Sequence, residues 1–232
     1  MKTIKQITQV IIIAVLILNF NIGNAQSNPN NPYDYAGIIH NEVLIDFYKT
    51  RKENQNSTIQ ENIDKISVLT NSNKKFKKHF ANTNFNWATS KLFIETSKDA
   101  PSRLSNVIDG LKISAQAKIL SKQLLDIVLD NDYKDLTKFY NLIIQFENSI
   151  INSKLNDDEK EYLLSSSSVA RYSAFLAFDN STGNSNGVQS KAKGGGWRIA
   201  ADVGGGLLGW AFGGLAGGIA GAAFGTGLYD SL

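Results

Sequence analysis

Two histidines are the only imidazoles in this chain of 232 residues, so acid–base chemistry at neutral pH has few carriers. His40 stands in Ile39-His40-Asn41-Glu42, two residues from a carboxylate, and His79 lies in the lysine-rich run Lys74–Phe80. Neither belongs to a His-Glu-x-x-His array, so zinc hydrolysis lacks its ligands. His40 with Glu42 is a conceivable functional pair, and a surface or capping role is the plainer expectation. Asp130, Asp132 and Asp135 begin like a calcium loop, but the glycine and closing glutamate are absent at their positions, which reads as a polar helix break. The chain has no Gly-x-Ser-x-Gly elbow and no phosphate-binding Gly-x-x-x-x-Gly-Lys-Ser/Thr loop. It also has no cysteine, which removes disulfides, thiol catalysis and cysteine-ligated metals. No catalytic residue, metal, cofactor or small-molecule substrate is expected, and the chain does not read as an enzyme.

The distinctive chemistry is that of shape. Gly205, Gly209, Gly213, Gly217, Gly221 and Gly225 recur every four residues. On a helix, positions i and i+4 share one side, so the row forms a stripe without side chains. Another backbone or a lipid can approach such a stripe closely. Val203–Leu228 carries no charge, and its one hydroxyl is Thr226. At about 1.5 Å per residue its 26 residues reach roughly 39 Å, enough for a ~30 Å hydrocarbon layer. The segment holds eleven glycines, each about 1 kcal/mol worse than alanine in an exposed helix. It is therefore expected to need lipid, a second copy, or shielding by the rest of the chain. Leu207, Leu208, Phe212, Leu215, Ile219 and Phe224 cluster away from the glycine row. Trp197, Trp210 and Tyr229 are candidate interface anchors, and Lys191, Lys193 and Arg198 are candidate contacts to anionic headgroups. Two other readings compete: a flexible glycine-rich tail, and a buried hairpin broken at Gly213-Gly214 or Gly217-Gly218.

The elements that would carry this stripe are helical. Residues 36–178 contain one proline, Pro101, little glycine and no alternating strand pattern. Ser57 and Thr58 precede Gln60 and Glu61 at capping-box spacing, and Asn156 precedes Glu159 as another cap signal. Phe76 and Phe80 stand at i and i+4; Leu104, Ile108, Leu111 and Ala115 continue a 3.6-type period; Leu136, Tyr140, Ile143 and Ile150 form another stripe. The expected fold class is all-α: a bundle of five or six helices plus a C-terminal glycine-zipper helix or helical hairpin. The expected organisation is a signal peptide over 1–25, an N-terminal arm over 26–35, a helical domain over 36–178, a flexible linker over 179–196, and the glycine-zipper segment over 197–232. Lys2 and Lys5, the apolar run Val10–Leu18 and the small-residue triplet Gly23-Asn24-Ala25 make the signal. Its removal leaves 22 basic and 21 acidic side chains, a balance without the basic footprint of a nucleic-acid binder.

Two stretches carry a resemblance: Asn31-Pro32-Tyr33-Asp34-Tyr35-Ala36-Gly37-Ile38-Ile39-His40-Asn41-Glu42, and Ser168-Val169-Ala170-Arg171-Tyr172-Ser173. Together they resemble a group of uncharacterised secreted proteins of Bacteroidetes-type bacteria, which begin with a Pro-Tyr-Asp…Gly…His-Asn element and often end in a glycine-rich hydrophobic segment. From Gly194-Gly195-Gly196-Trp197 onward the chain is similar to glycine-zipper bacteriocins, which follow a double-glycine leader and act on membranes. The signal segment implies an exported protein, periplasmic, at the cell envelope or extracellular. The functional expectation is membrane association or insertion through the glycine row, bacteriocin-like and oligomeric. The alternative is a secreted helical interaction module whose tail packs on the domain or joins two copies.

Overall fold

The computed structural model describes residues 27–50, 57–81, 100–130, 135–179 and 195–229. Expectations for the signal over 1–25, most of the linker, Lys191, Lys193 and Asp132 fall outside the described residues. So do the side chains of Trp197, Phe212 and Tyr229.

Every regular element among the described residues is an α-helix. In chain order they are α1 (Tyr35–Thr50), α2 (Ile59–Ser72), α3 (Lys74–His79), α4 (Ala100–Gly110), α5 (Ala115–Leu129), α6 (Leu136–Ile151), α7 (Asp157–Asp179) and α8 (Gly195–Tyr229). Local chemistry explains most of the starts. Thr58 Oγ1 accepts from Glu61 N (3.2 Å) while Glu61 Oε2 accepts from Thr58 N (2.7 Å), a reciprocal box that satisfies two orphan donors. Asn73 caps α3 by accepting from Phe76 N (2.9 Å), and Asn156 caps α7 by accepting from Glu159 N (2.8 Å). Asp157, Asp158 and Glu159 then place negative charge at the positive end of the α7 dipole.

The stripe Leu104–Ala115 divides into two helices. α4 ends at Gly110 and the chain restarts at Ser114, whose hydroxyl accepts from Ala117 N (3.1 Å). The Ser114 N–H is held by Glu159 Oε1 at 2.6 Å. A 3.6-residue period passes across such a break unseen, because Leu111 and Ile113 still pack on the same apolar cluster.

α8 is the centre of the molecule. Gly213 (φ −151°, ψ 19°) and Gly214 (φ 58°, ψ −151°) interrupt its helical geometry, and at Gly214 the positive φ favours a residue without Cβ. The chain reverses there, and α8 becomes two arms. Together they pack against α1, α2, α4, α5 and α7. The first arm supplies Ile199, Val203 and Leu207 to one apolar cluster, with Leu124, Phe139, Ile143 and Tyr162. The second arm supplies Leu215, Ile219 and Phe224 to another, with Ile39, Val43, Phe47 and Ile66. The arms thus stand between two halves of the core, with Leu208 of the first arm also joining the second half.

Candidate functional site

The glycines lie where the arms face each other. A Cβ built on Gly209 would overlap the Gly217 carbonyl oxygen and come within 2.7 Å of its carbonyl carbon. One on Gly205 would stand 2.9 Å from the Gly221 carbonyl carbon, one on Gly221 2.9 Å from Gly209 Cα, and one on Gly225 2.6 Å from the Ala201 carbonyl carbon. Real Cβ atoms do not approach backbone so closely, so each position requires glycine. The pairing follows from the spacing. The row is symmetric about Gly213, and a reversal at Gly213–Gly214 sets Gly209 opposite Gly217, Gly205 opposite Gly221, and Ala201 opposite Gly225. Each glycine meets backbone from its own chain. Gly204 and Gly227 do different work, giving room to Leu104 Cδ2 and Ile66 Cδ1.

The two ends of this paired hairpin differ in chemistry. The turn is apolar and open: Ala211 is exposed, and Trp210, Gly213 and Gly214 are partly so. Trp210 sits beside this turn, its ring 5.0 Å from that of Tyr162. The base is polar and closed. Arg198, expected at a lipid headgroup, is 9% exposed, and its guanidinium donates to Tyr48 Oη and lies 5.0 Å from the Tyr48 ring centroid. Asp202 is 1% exposed and accepts from Thr226 Oγ1 on the second arm.

His40 reaches this base from α1. Its ring is fully buried, with Nε2 3.6 Å from Asp202 Oδ2 and Nδ1 3.1 Å from Asn41 Oδ1. Burial, and then the Arg198 charge, lower its pKa from 6.5 to about 4, against the opposing pull of its hydrogen bonds to Asn41 and the Ala222 backbone. Glu42 turns the other way, to Lys75 Nζ (2.5 Å) and Asn73 Nδ2 (3.0 Å), so it does not pair with His40. His79 stacks on Tyr35 with centroids 3.9 Å apart.

The two stretches that carry the resemblance meet across the fold. Asp34 accepts from Arg171 Nη2 and from Tyr172 Oη (3.1 Å), and its carbonyl accepts from Ser168 Oγ (2.9 Å). Gly37 N donates to Ser168 Oγ (3.1 Å), and Asn41 Nδ2 donates to the Tyr172 carbonyl (2.7 Å). Sequence reasoning missed the centre of this network. Glu147 is fully buried and accepts from Asn28 (2.7 Å), Asn31 (2.8 Å), Ser167 (3.0 Å) and Arg171 (3.0 and 3.1 Å). This ties residues 28–34 to α6 and α7, and it explains the serine run Ser165–Ser168 as a small, hydrogen-bonding packing face. A buried carboxylate bonded through both oxygens in this way holds chain segments together.

Among the described residues there is no cluster of three or more metal-ligating side chains, and no helix is long and apolar enough to cross a membrane. What the geometry assembles is a self-paired hairpin with an exposed apolar turn and a base, holding Arg198 and Asp202, clamped to α1. No family model matches the chain, and no curated protein or solved structure matches it.

Proposed function

We propose that this is an exported, non-catalytic helical protein that meets a membrane through the C-terminal glycine hairpin, entering turn first with its arms already paired. The observation that carries the reading is the polarity of the hairpin along its length. Among the described residues its uncharged turn carries the exposed Ala211 and the partly exposed Trp210, Gly213 and Gly214, and its charged Arg198 and Asp202 are buried together at the base. The dimensions point to one leaflet rather than a full crossing. Val203–Phe212 and Leu215–Leu228 hold 10 and 14 uncharged residues, about 15 and 21 Å of helix, against a hydrocarbon layer of ~30 Å. Paired arms keep their amide and carbonyl groups bonded within the helices, which hydrocarbon demands. The glycine face stays filled, and the bulky faces now turned into the two core clusters become the faces for lipid. Self-association through the glycine row would first require the arms to part.

A second reading has its own support. The same bulky residues complete both halves of the core, which suits a secreted interaction module whose hairpin never leaves the bundle. Deleting the hairpin cannot separate the two readings, because the core would go with it. Ala211→Glu can, since Ala211 is exposed and the change leaves the core alone. On vesicles of phosphatidylcholine with phosphatidylglycerol, the lipid reading expects wild-type co-sedimentation and at least a tenfold loss in the variant at unchanged helicity. A wild-type protein that stays in the supernatant supports the interaction module.

A further inference from the structure

A hairpin that enters lipid turn first needs its cations at the turn, and the cation expected at a headgroup, Arg198, is buried at the opposite end. The turn end has another source of charge. Glu161 of α7 adjoins Trp210 beside the turn and also acts on the Tyr35 hydroxyl at the start of α1. The Tyr35 ring in turn stacks on His79, the last residue of α3, with centroids 3.9 Å apart. These contacts set α3 next to the turn. Its sequence is Lys74-Lys75-Phe76-Lys77-Lys78-His79. Phe76 alone faces inward: it is buried in the second arm's core cluster, with the Phe80 ring 4.8 Å away. Asn73 and Lys75 hold the start of α3 to Glu42 of α1, at 3.0 and 2.5 Å. Lys74, Lys77 and Lys78 are exposed and have no ion-pair partner among the described residues. The helix dipole welcomes Lys77 and Lys78 in the last turn, but it does not reach Lys74. Lys74 lies three and four residues from them, a like-charge spacing that destabilises a helix in water. An anionic surface would relieve that repulsion.

We propose that α3 is the headgroup-reading element of this protein: Lys74, Lys77 and Lys78 grip anionic phospholipid beside the hairpin turn. The inference rests on the membrane reading above and names the lipid class. Tyr33, Tyr35 and Trp210 gather about Glu161 and are each partly buried. Tyrosine and tryptophan so placed settle at headgroup depth, the level at which the lysines would act. The opposing charges at this end are Asp157, Asp158 and Glu161. Asp157 and Asp158 serve the α7 dipole, and burial raises the Glu161 pKa, which favours its neutral form. α3 therefore carries the cationic side of the turn end, and the protein should meet the surface with that side down.

The experiment is co-sedimentation of the full chain, without its signal segment, on two kinds of vesicle: phosphatidylcholine alone, and phosphatidylcholine with phosphatidylglycerol. Near an anionic surface each lysine is worth about fivefold in binding. Wild type should bind the mixed vesicles at least tenfold more tightly, and added salt should erase the difference. Lys77→Gln with Lys78→Gln should lose at least tenfold on mixed vesicles and nothing on phosphatidylcholine. Lys49→Gln with Lys138→Gln removes the same charge from exposed positions on α1 and α6 and should stay within twofold of wild type. All four side chains are exposed, so unchanged helicity is expected throughout. Equal binding of wild type to both vesicles, or equal losses in the two double variants, would overturn the role of α3. Ala211→Glu separates this role from turn-first entry. A phosphatidylglycerol preference that survives Ala211→Glu and still depends on Lys77 and Lys78 keeps α3 as the headgroup reader and sinks entry by the turn. Binding that ignores lipid charge and is lost only in Ala211→Glu does the reverse. No binding to either vesicle overturns both.

Discussion

Gly206 and Gly209 lie one turn apart on the same arm, and alanine at the two positions should act with opposite sign. A Cβ on Gly206 would meet Gly218 O at 3.5 Å, Ala222 Cβ at 3.6 Å and Ser166 Oγ at 4.0 Å, all ordinary contacts. Nothing has to move there, so Gly206→Ala should gain most of the helix-propensity difference, about 0.5–1 kcal/mol. A Cβ on Gly209 overlaps Gly217 O and stands 2.7 Å from its carbon and 3.1 Å from Gly221 Cα. Those are backbone atoms of a packed helix, with no rotamer to yield. Restoring van der Waals distance means parting the arms by about 1 Å, which forfeits dispersion contacts along the paired row. Overpacking costs about 1–3 kcal/mol, and more where the surroundings cannot relax; after the propensity gain, Gly209→Ala should be destabilised by about 1–2 kcal/mol. In thermal unfolding followed by circular dichroism, a domain of this size shifts by about 2–4 °C per kcal/mol. Gly206→Ala should therefore melt about 1–4 °C higher and Gly209→Ala about 2–8 °C lower. A Gly209→Ala protein that melts at or above wild type would refute the pairing of the arms, because the steric argument leaves it no other outcome.

The reversal is open to a separate check. A Cβ on Gly214 has nothing within 4 Å, so Gly214→Ala tests backbone conformation alone; at φ 58°, ψ −151° it should cost about 1–3 kcal/mol in denaturant unfolding. Arg171→Met strands the buried Glu147 carboxylate beside Asp34 and should cost about 3–5 kcal/mol by the same measurement. Acid should weaken the fold through His40. Its pKa falls from 6.5 to about 4 on folding, and at about 1.4 kcal/mol per unit this removes about 3 kcal/mol of stability as pH drops across that interval. Urea midpoints for wild type that are flat between pH 7 and pH 4 would contradict it.

What the sequence made legible was local. Thr58 with Glu61 and Asn156 with Glu159 cap helices over three residues, and such bonds need no tertiary context. The all-α class follows from periodicity for the same reason. The glycine row was equally visible, but its partner was not. A bare stripe on a helix wants a close neighbour, and one chain's periodicity does not say whether that neighbour is lipid, a second copy or the same chain reversed. The information lay in the symmetry of the row about Gly213 and in the adjacent Gly213-Gly214 pair that permits a reversal. Arg198 read as a headgroup contact because it borders an uncharged run; α1 makes it and Asp202 interior residues by presenting Tyr48 and His40. Glu147 carried no signal at all. Its partners Asn28 and Asn31 lie more than a hundred positions away, and such long-range satisfaction leaves no local pattern. The serine run on α7 was its nearest trace.

Whether the arms travel as a pair is decided by joining them. The chain has no cysteine, so within one molecule two introduced thiols can find only each other, and dilute protein keeps the oxidation intramolecular. A Cβ on Gly206 lies 3.6 Å from Ala222 Cβ, within the ~3.5–4.5 Å that a disulfide requires. Gly206→Cys with Ala222→Cys should therefore oxidise without displacing the helices. It closes a short loop, worth about 3 kcal/mol against the unfolded chain, and dithiothreitol should return the melting curve to that of the reduced variant. The bond ties arm to arm and leaves the contacts of the hairpin with α1, α2, α4, α5 and α7 unjoined. If the hairpin enters lipid pre-paired, the oxidised protein should bind vesicles at least as well as the reduced one, because the disulfide constrains only a pairing that persists. If the arms instead part to form one long helix of ~39 Å, oxidation should abolish binding and reduction should restore it. That second outcome would return the glycine row to the role of an intermolecular surface and overturn the paired-entry reading.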